Sequence, residues 1–162
     1  MTVRRSIAAL AVLLCLCLPA VAADRPTEAT GSFALSDSDA GQLWSLGFNL
    51  DAPLGKVLQV GPALVATGID PDGGESVYVT SAGGRITLNL TGKNGLFVAA
   101  GALYNLGGDA EGYLLTPEIG VKFGGDGGFV RVAVAHPYHY GNDDGAVDLE
   151  RTEIVGALGI RF

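Results

Sequence analysis

Cysteine occurs only twice in the 162 residues, as Cys15 and Cys17. Beyond them the chain has no disulfide, no thiol chemistry and no cysteine-based metal site. A secreted domain without disulfides must hold itself together by other means. Long apolar runs are missing as well. After residue 23 none approaches the ~20 residues that a spanning helix needs, and no helical periodicity of useful length is present. Bases are scarce. Ten Lys and Arg stand against 17 Asp and Glu, and without Arg4 and Arg5 the balance is eight against 17, a net charge of −9. That excess of acid argues against nucleic acid as a partner. There is no internal repeat beyond a strand rhythm. Glycine, at 25 residues, is abundant but follows no collagen-like period.

The first 23 residues carry what the remainder lacks. Arg4 and Arg5 precede an apolar run from Ile7 to Leu18, followed by Pro19-Ala20-Val21-Ala22-Ala23. A basic start, a short apolar core and an A-x-A-like end predict a secretory signal peptide over 1–23, cleaved after Ala22 or Ala23. The run is too short for a transmembrane helix. Neither cysteine follows the small residue that a lipoprotein signal requires. The remaining 24–162, about 140 residues, suits one domain.

Alternation dominates that domain. Side chains in a strand point to opposite faces in turn. Near the C-terminus Ile154, Leu158, Ile160 and Phe162 share one parity with Gly156, while Glu153, Val155, Ala157, Gly159 and Arg161 share the other. The same reading gives eight strands, at about 30–36, 42–51, 56–67, 77–90, 96–105, 113–123, 128–137 and 152–162. In the second, Trp44, Leu46, Phe48 and Leu50 oppose Leu43, Ser45, Gly47 and Asn49. In the fourth, Ile86, Leu88 and Leu90 oppose Arg85, Thr87 and Asn89. The fifth has no clear facing. Pro62 is expected to mark a bulge or weak point, Gly83-Gly84 a bend, and 24–29 a polar lead-in outside the barrel. The apolar faces of strands two, three, four, six, seven and eight carry no Lys, Arg, Asp or Glu.

Connections alternate too. Segments 51–55, 91–94 and 124–127 have tight-turn compositions. Segments 37–41, 68–76, 106–112 and 138–151 are generally longer. They hold 11 of the 17 acids: Asp37, Asp39, Asp70, Asp72, Glu75, Asp109, Glu111, Asp143, Asp144, Asp148 and Glu150. Short turns on one rim and longer loops on the other is the asymmetry of transmembrane β-barrels. Only a closed barrel crosses a bilayer without an apolar helix, because its backbone bonds are satisfied between strands. The expected fold is therefore all-β: an eight-stranded, antiparallel, up-and-down transmembrane β-barrel behind a cleaved signal peptide.

The leader, the eight alternating strands, the turn asymmetry and the ending Gly159-Ile160-Arg161-Phe162 together resemble the small eight-stranded outer-membrane barrels of Gram-negative bacteria, of the outer membrane protein A/X kind. The resemblance implies a monomer in the outer membrane, with lipid and lipopolysaccharide as its surroundings. Phe162 resembles the C-terminal signal read by the barrel assembly machinery. The competing fold is a soluble, lipocalin-like ligand-binding barrel.

The inward parity collects Gln59, Arg85, Thr87, Asn89, Glu118, Lys122, Arg131, Glu153 and Arg161. An eight-stranded barrel is only wide enough for side chains to fill it. Glu118 and Glu153 are expected to pair with Lys122, Arg131 or Arg161 in a polar lumen network. A narrow gated conduit is the sharper alternative, and porin-like passage of large solutes is excluded by strand number. Tyr138-His139-Tyr140-Gly141-Asn142 partly resembles the His-x-Ser-Asn segment of the lipid A 3-O-deacylase barrels. That family's chemistry implies a Ser nucleophile, a His base and a Glu. His139 and Asn142 match, and Glu150 or Glu153 would supply the acid. The serine position is Gly141, so no nucleophile is present and the hydrolysis does not carry over. His136 and His139 otherwise read as interface residues beside Tyr138 and Tyr140. No cofactor is expected. Asp70, Asp72, Glu75, Asp143 and Asp144 are candidate ligands for a divalent cation, though their spacing departs from an EF-hand loop. The expected role is non-catalytic: envelope structure, surface interaction or adhesion through acidic loops. A deacylase-like enzyme, or its inactive relative, is the alternative.

Overall fold

The computed structural model describes residues 25–38, 41–70, 75–108, 111–141 and 151–162. The expected signal peptide lies outside them. The described residues contain no helix. Their strands are β1 (Glu28–Ser38), β2 (Gly41–Pro53), β3 (Leu58–Asp70), β4 (Val77–Asn89), β5 (Gly95–Gly108), β6 (Tyr113–Gly124), β7 (Gly128–Ala135), β8 (Tyr138–Tyr140) and β9 (Glu153–Arg161). Every pairing is antiparallel. β1 pairs with β9 and β5 with β6, so the sheet closes on itself. β7 and β8 both pair with β6 and act as one interrupted strand. The nine segments thus form an eight-stranded barrel.

The interruption has a covalent cause. Pro137 has no N–H to give to the ladder, and Pro117 stands across from the break. The seventh strand, expected to reach Pro137, stops at Ala135. His136 bridges the gap with one backbone bond, N–H to the Pro117 carbonyl, 3.1 Å. Tyr138–Tyr140, expected as loop, return to the ladder against Tyr113–Leu115.

Several expected boundaries move. β1 starts at Glu28, so the end of the presumed lead-in is part of the barrel. Thr27 and Phe162 exchange two backbone bonds of 3.0 and 3.1 Å, which fastens the residue before β1 to the residue after β9. β2 runs on to Pro53, β3 to Asp70 and β5 to Gly108. β1 and β2 leave only residues 39–40 between them. The connections expected at 37–41, 68–76 and 106–112 are correspondingly shorter. Pro62 does weaken the β2–β3 ladder. Pairing lapses between Asn49↔Ala63 and Ala52↔Val60 and resumes in the same register, so there is no bulge. Gly61 allows the close approach there, since a Cβ would overlap the Leu50 carbonyl. The β4–β5 register shifts between Thr80 and Ser81, opposite an extra Leu106, while Gly83-Gly84 stay in regular pairing with Leu103 and Ala102.

Parity places the side chains as expected. Leu46, Phe48, Ile86, Ile119, Val132, Ile154, Leu158 and Ile160 are exposed on the outside. Gln59, Arg85, Thr87, Asn89, Glu118, Lys122, Arg131, Glu153 and Arg161 are buried on the inside. The fifth strand resolves with Phe97 and Leu103 inward, Phe97 fully buried. Three small apolar clusters share the interior: Ala34, Phe97, Ala133, Ala135 and Val155; Ala63, Leu103 and Leu114; and Leu43, Ile69 and Val79.

The Phe129 ring lies over Gly159, its partner across β7–β9, in the space a side chain would occupy. Gly159→Val should therefore displace the ring and lower stability by about 1–3 kcal/mol in urea unfolding in detergent. Gly31→Val, where nothing lies within 4 Å of an added Cβ, should change it by less than about 0.5 kcal/mol.

Candidate functional site: the charged interior

Long charged side chains need space across the ladder, and the sequence supplies it. Arg85 stands between Gly61 and Gly101. Glu118 stands between Ala99 and Ala135, and Arg131 faces Ala157. Alternating small and large residues is how a narrow barrel fills its taper.

The group nearest the turns is built on Glu28. Its carboxylate accepts from Lys122 Nζ at 2.6 Å and from Arg161 Nε at 2.9 Å. Lys122 Nζ also donates to Gln59 Oε1 at 3.3 Å, and Asn89 Nδ2 donates to the same oxygen at 2.7 Å. Arg161 donates to the carbonyls of Gly125 and Lys93 and to Asn94 Oδ1, drawing two turns over the barrel mouth. Phe97 and Phe129 lie between the cations. Lys122 Nζ is 5.5 Å from each ring centroid, and Arg161 Cζ is 4.5 Å from that of Phe129. Cations over ring faces at such distances are attracted by the ring quadrupole.

Deeper in the lumen, Arg85 Nη1 donates to Glu118 Oε2 at 2.7 Å. Arg131 Nε lies 3.4 Å from Glu118 Oε1, and Arg85 Nε lies 3.9 Å from Asp51 Oδ2. Lys122 and Arg131 are direct neighbours across β6–β7. Like charges so placed repel, and each is answered by a different acid, Glu28 and Glu118.

Toward the loops, Glu153 Oε2 accepts from Arg151 Nε at 3.0 Å and Ser45 Oγ at 3.3 Å. Ser81 Oγ donates to Asn105 Oδ1 at 2.7 Å, and Asn105 Nδ2 meets His139 Nε2 at 3.2 Å.

The expected lumen residues are thus all inside, but their partners differ in part. Glu118 takes Arg85 as well as Arg131. Glu153 takes Arg151, which the sequence placed in a loop. Lys122 and Arg161 take Glu28. Three ionic members were missed: Glu28, Asp51 and Arg151. Each lies on the inward parity of an adjoining strand, in phase with Thr30, Asn49 and Glu153, and extending the alternation by one or two positions would have found it.

The deacylase-like residues fall into separate groups. His139 bonds to Asn105, while Glu153 bonds to Ser45 and Arg151. Gly141 offers no hydroxyl, and Asn142 and Glu150 lie outside the described residues. Of the candidate cation ligands, Asp70 and Glu75 are exposed, and Asp70 accepts from Ser76 Oγ at 2.6 Å. Asp72, Asp143 and Asp144 lie outside the described residues. Among the described residues no group of three or more His, Cys, Asp or Glu is placed to hold a metal ion.

Glu118→Ala should leave Arg85 and Arg131 buried without their acid. A loss of about 3–5 kcal/mol is expected in urea unfolding, as for other broken buried pairs. At the turn rim, Lys93 Nζ bonds to exposed Asp126 and holds its carboxyl below the ordinary aspartate range, by hydrogen bond first and charge second. That contact stabilises the fold above the ordinary value and is lost as pH falls through the lowered one. A carboxyl NMR titration should find Asp126 below ordinary aspartates, and Lys93→Met should return it to their range.

No family model, no curated protein and no solved structure matches this chain.

Proposed function

We propose that this barrel spans the outer membrane of a Gram-negative bacterium, as a monomer, in a non-catalytic role of envelope structure and surface interaction. The observation that carries the reading is the inverted polarity of the two faces. Among the described residues, 24 large hydrophobic side chains are exposed, with Ile154 and Leu158 at 68 and 70%. The buried interior holds Glu28, Asp51, Arg85, Glu118, Lys122, Arg131, Arg151, Glu153 and Arg161. A water-soluble monomer rarely exposes apolar patches beyond a few hundred Å². A lipocalin-like barrel would carry apolar side chains inward and polar ones outward, the reverse of this one.

Dimensions agree with a bilayer. Thirteen-residue strands such as β2, β3 and β4 extend roughly 43 Å. Tilted by about 45°, they reach roughly the 30 Å of a hydrocarbon core. Aromatic residues collect at the loop end of the outer surface. Trp44 packs on Tyr78 at 6.1 Å and Tyr104 on Tyr113 at 5.1 Å, with Tyr138 and Tyr140 nearby in the ladder. Phe123 and Phe162 stand at the turn end. Trp and Tyr favour the membrane–water interface.

The lumen is occupied by its own side chains, which supports a structural part over a conduit. The acidic loops are the chemistry such a barrel would present outside the cell, toward lipopolysaccharide and other surface partners. The exposed ring of Phe162 would be offered to the assembly machinery.

Expressed with its leader in a Gram-negative host, the protein should sediment with the outer membrane. It should also migrate differently in detergent gels before and after heating. Val132→Arg, at mid-strand on the outer face, should lower stability in vesicles by about 2–4 kcal/mol. Recovery of the protein from the soluble fraction without detergent overturns the reading. Release of acyl chains from lipopolysaccharide would favour the enzyme instead.

A further inference from the structure

We propose, on the bilayer location inferred above, that a cleft at the turn end of the barrel holds the phosphate of an anionic phospholipid whose chains lie along the outer face of β1. The cleft measures about 490 Å³ and is lined by Arg25, Pro26, Lys93, Asp126, Arg161 and Phe162. Sites for small ligands commonly occupy roughly 300–1,000 Å³.

Contacts already in place set its walls. Thr27 and Phe162 exchange two backbone bonds, which fix the residue after Pro26 against the end of β9. Pro26 locks its own φ, so the backbone that carries Arg25 has little freedom. Arg161 Nη2 donates to the Lys93 carbonyl at 2.8 Å, and Nη1 donates to the Gly125 carbonyl. Those bonds hold the turns that bear Lys93 and Asp126 at the barrel mouth. A site formed before its ligand arrives binds without the entropic cost of ordering it.

Charge selects the guest. Arg161 shares Glu28 with Lys122, and Lys93 is paired with Asp126. Among the described residues Arg25 has no acid partner. Around the cleft four bases thus stand against two acids, in a chain whose totals are ten against 17. That local excess of base favours an anion. The fork of a guanidinium matches two oxygens of a phosphate, and a lysine adds a point charge. Lys56, exposed on the same rim, adds to the field without lining the cleft.

The surroundings select a lipid over a free anion. An inorganic ion gains nothing from the Phe162 ring, 69% exposed beside these cations. An amphiphile does. On the outer face next to Phe162, β1 presents Ala29 and Gly31, and nothing lies within 4 Å of a Cβ added at Gly31. Ile160 and Leu158 flank them on β9, and Leu50 and Phe48 flank them on β2. The result is a shallow apolar trough that leads from the cleft along the strand and suits an acyl chain. Basic pockets at a membrane surface are a recurring way to hold anionic headgroups.

The test uses the full chain, processed by its host, purified and reconstituted in vesicles of equal phosphatidylglycerol and phosphatidylcholine. Native mass spectrometry of barrel released from them should find one phosphatidylglycerol retained, in about tenfold excess over phosphatidylcholine, the order expected of charge-assisted hydrogen bonds. Arg25→Gln should cut that preference about fivefold or more. Lys56→Gln removes the same charge from the same rim and should change it by less than about twofold. Heat-modifiable migration reads whether each variant is folded, and Lys93→Gln serves if Arg25→Gln is not. Insertion without a preference, or equal losses in Arg25→Gln and Lys56→Gln, overturns the site alone. Failure to enter the vesicles overturns the bilayer location and the site with it. Inorganic phosphate at the concentration of the lipid should leave the lipid in place. Displacement by it assigns the cleft to a free anion and overturns the lipid.

Discussion

Eight strands closed on themselves leave room for side chains and little more. A charge directed into that space can be answered only by another inward group, because an isolated buried ion is prohibitively unfavourable. The rest of this structure depends on that neutralisation. Glu28 answers Lys122 and Arg161, Glu118 answers Arg85 and Arg131, and Glu153 answers Arg151. The Glu28–Lys122, Glu28–Arg161 and Arg85–Glu118 pairs join strands that are not consecutive in the chain, so these charges also hold the circumference. The first and last strands meet through Glu28 and Arg161, which stand directly opposite each other in the ladder.

Neutralising the interior with ions frees the outer surface from carrying polarity. Between the rims that surface is Leu, Ile, Val, Phe, Ala and Gly, with Pro62 and Pro117. Lipid would then do for the outside what counter-charges do for the inside. The turn rim is tied down by Arg161 and by the Lys93–Asp126 and Asn94–Gly124 contacts. The loop rim carries most of the acids.

Proline acts locally and legibly. Pro137 divides the seventh strand, and Pro62 opens the β2–β3 ladder beside Asp51 without changing register. Both consequences follow from a missing N–H. The strand ends were less legible. Glu28 read as a polar lead-in, and Asp70, Gly108 and Tyr138 as loop by composition, yet the barrel draws them into the ladder. Backbone groups at those positions find partners on a neighbouring strand, and that gain outweighs a local preference for turns. Phe97 was ambiguous for a related reason. Both faces of β5 are apolar, so alternation alone could not orient it, and the cations Lys122 and Arg131 at 5.5 Å mark its ring as an inward one.

Period-two alternation along the chain was enough to give eight strands and to name nine of the polar residues that point inward, while closure of those strands into a barrel is shown by the pairing of the first strand with the last. The alternation is local, because successive side chains in a strand must point to opposite faces. Which acid meets which base was decided only by the closed sheet. Lys122 and Glu28 are 94 residues apart, and Arg161 and Glu28 are 133 apart. Their meeting depends on the register of every intervening strand and on closure of the first strand against the last. No stretch of sequence contains that register, since it exists only once the ring is complete.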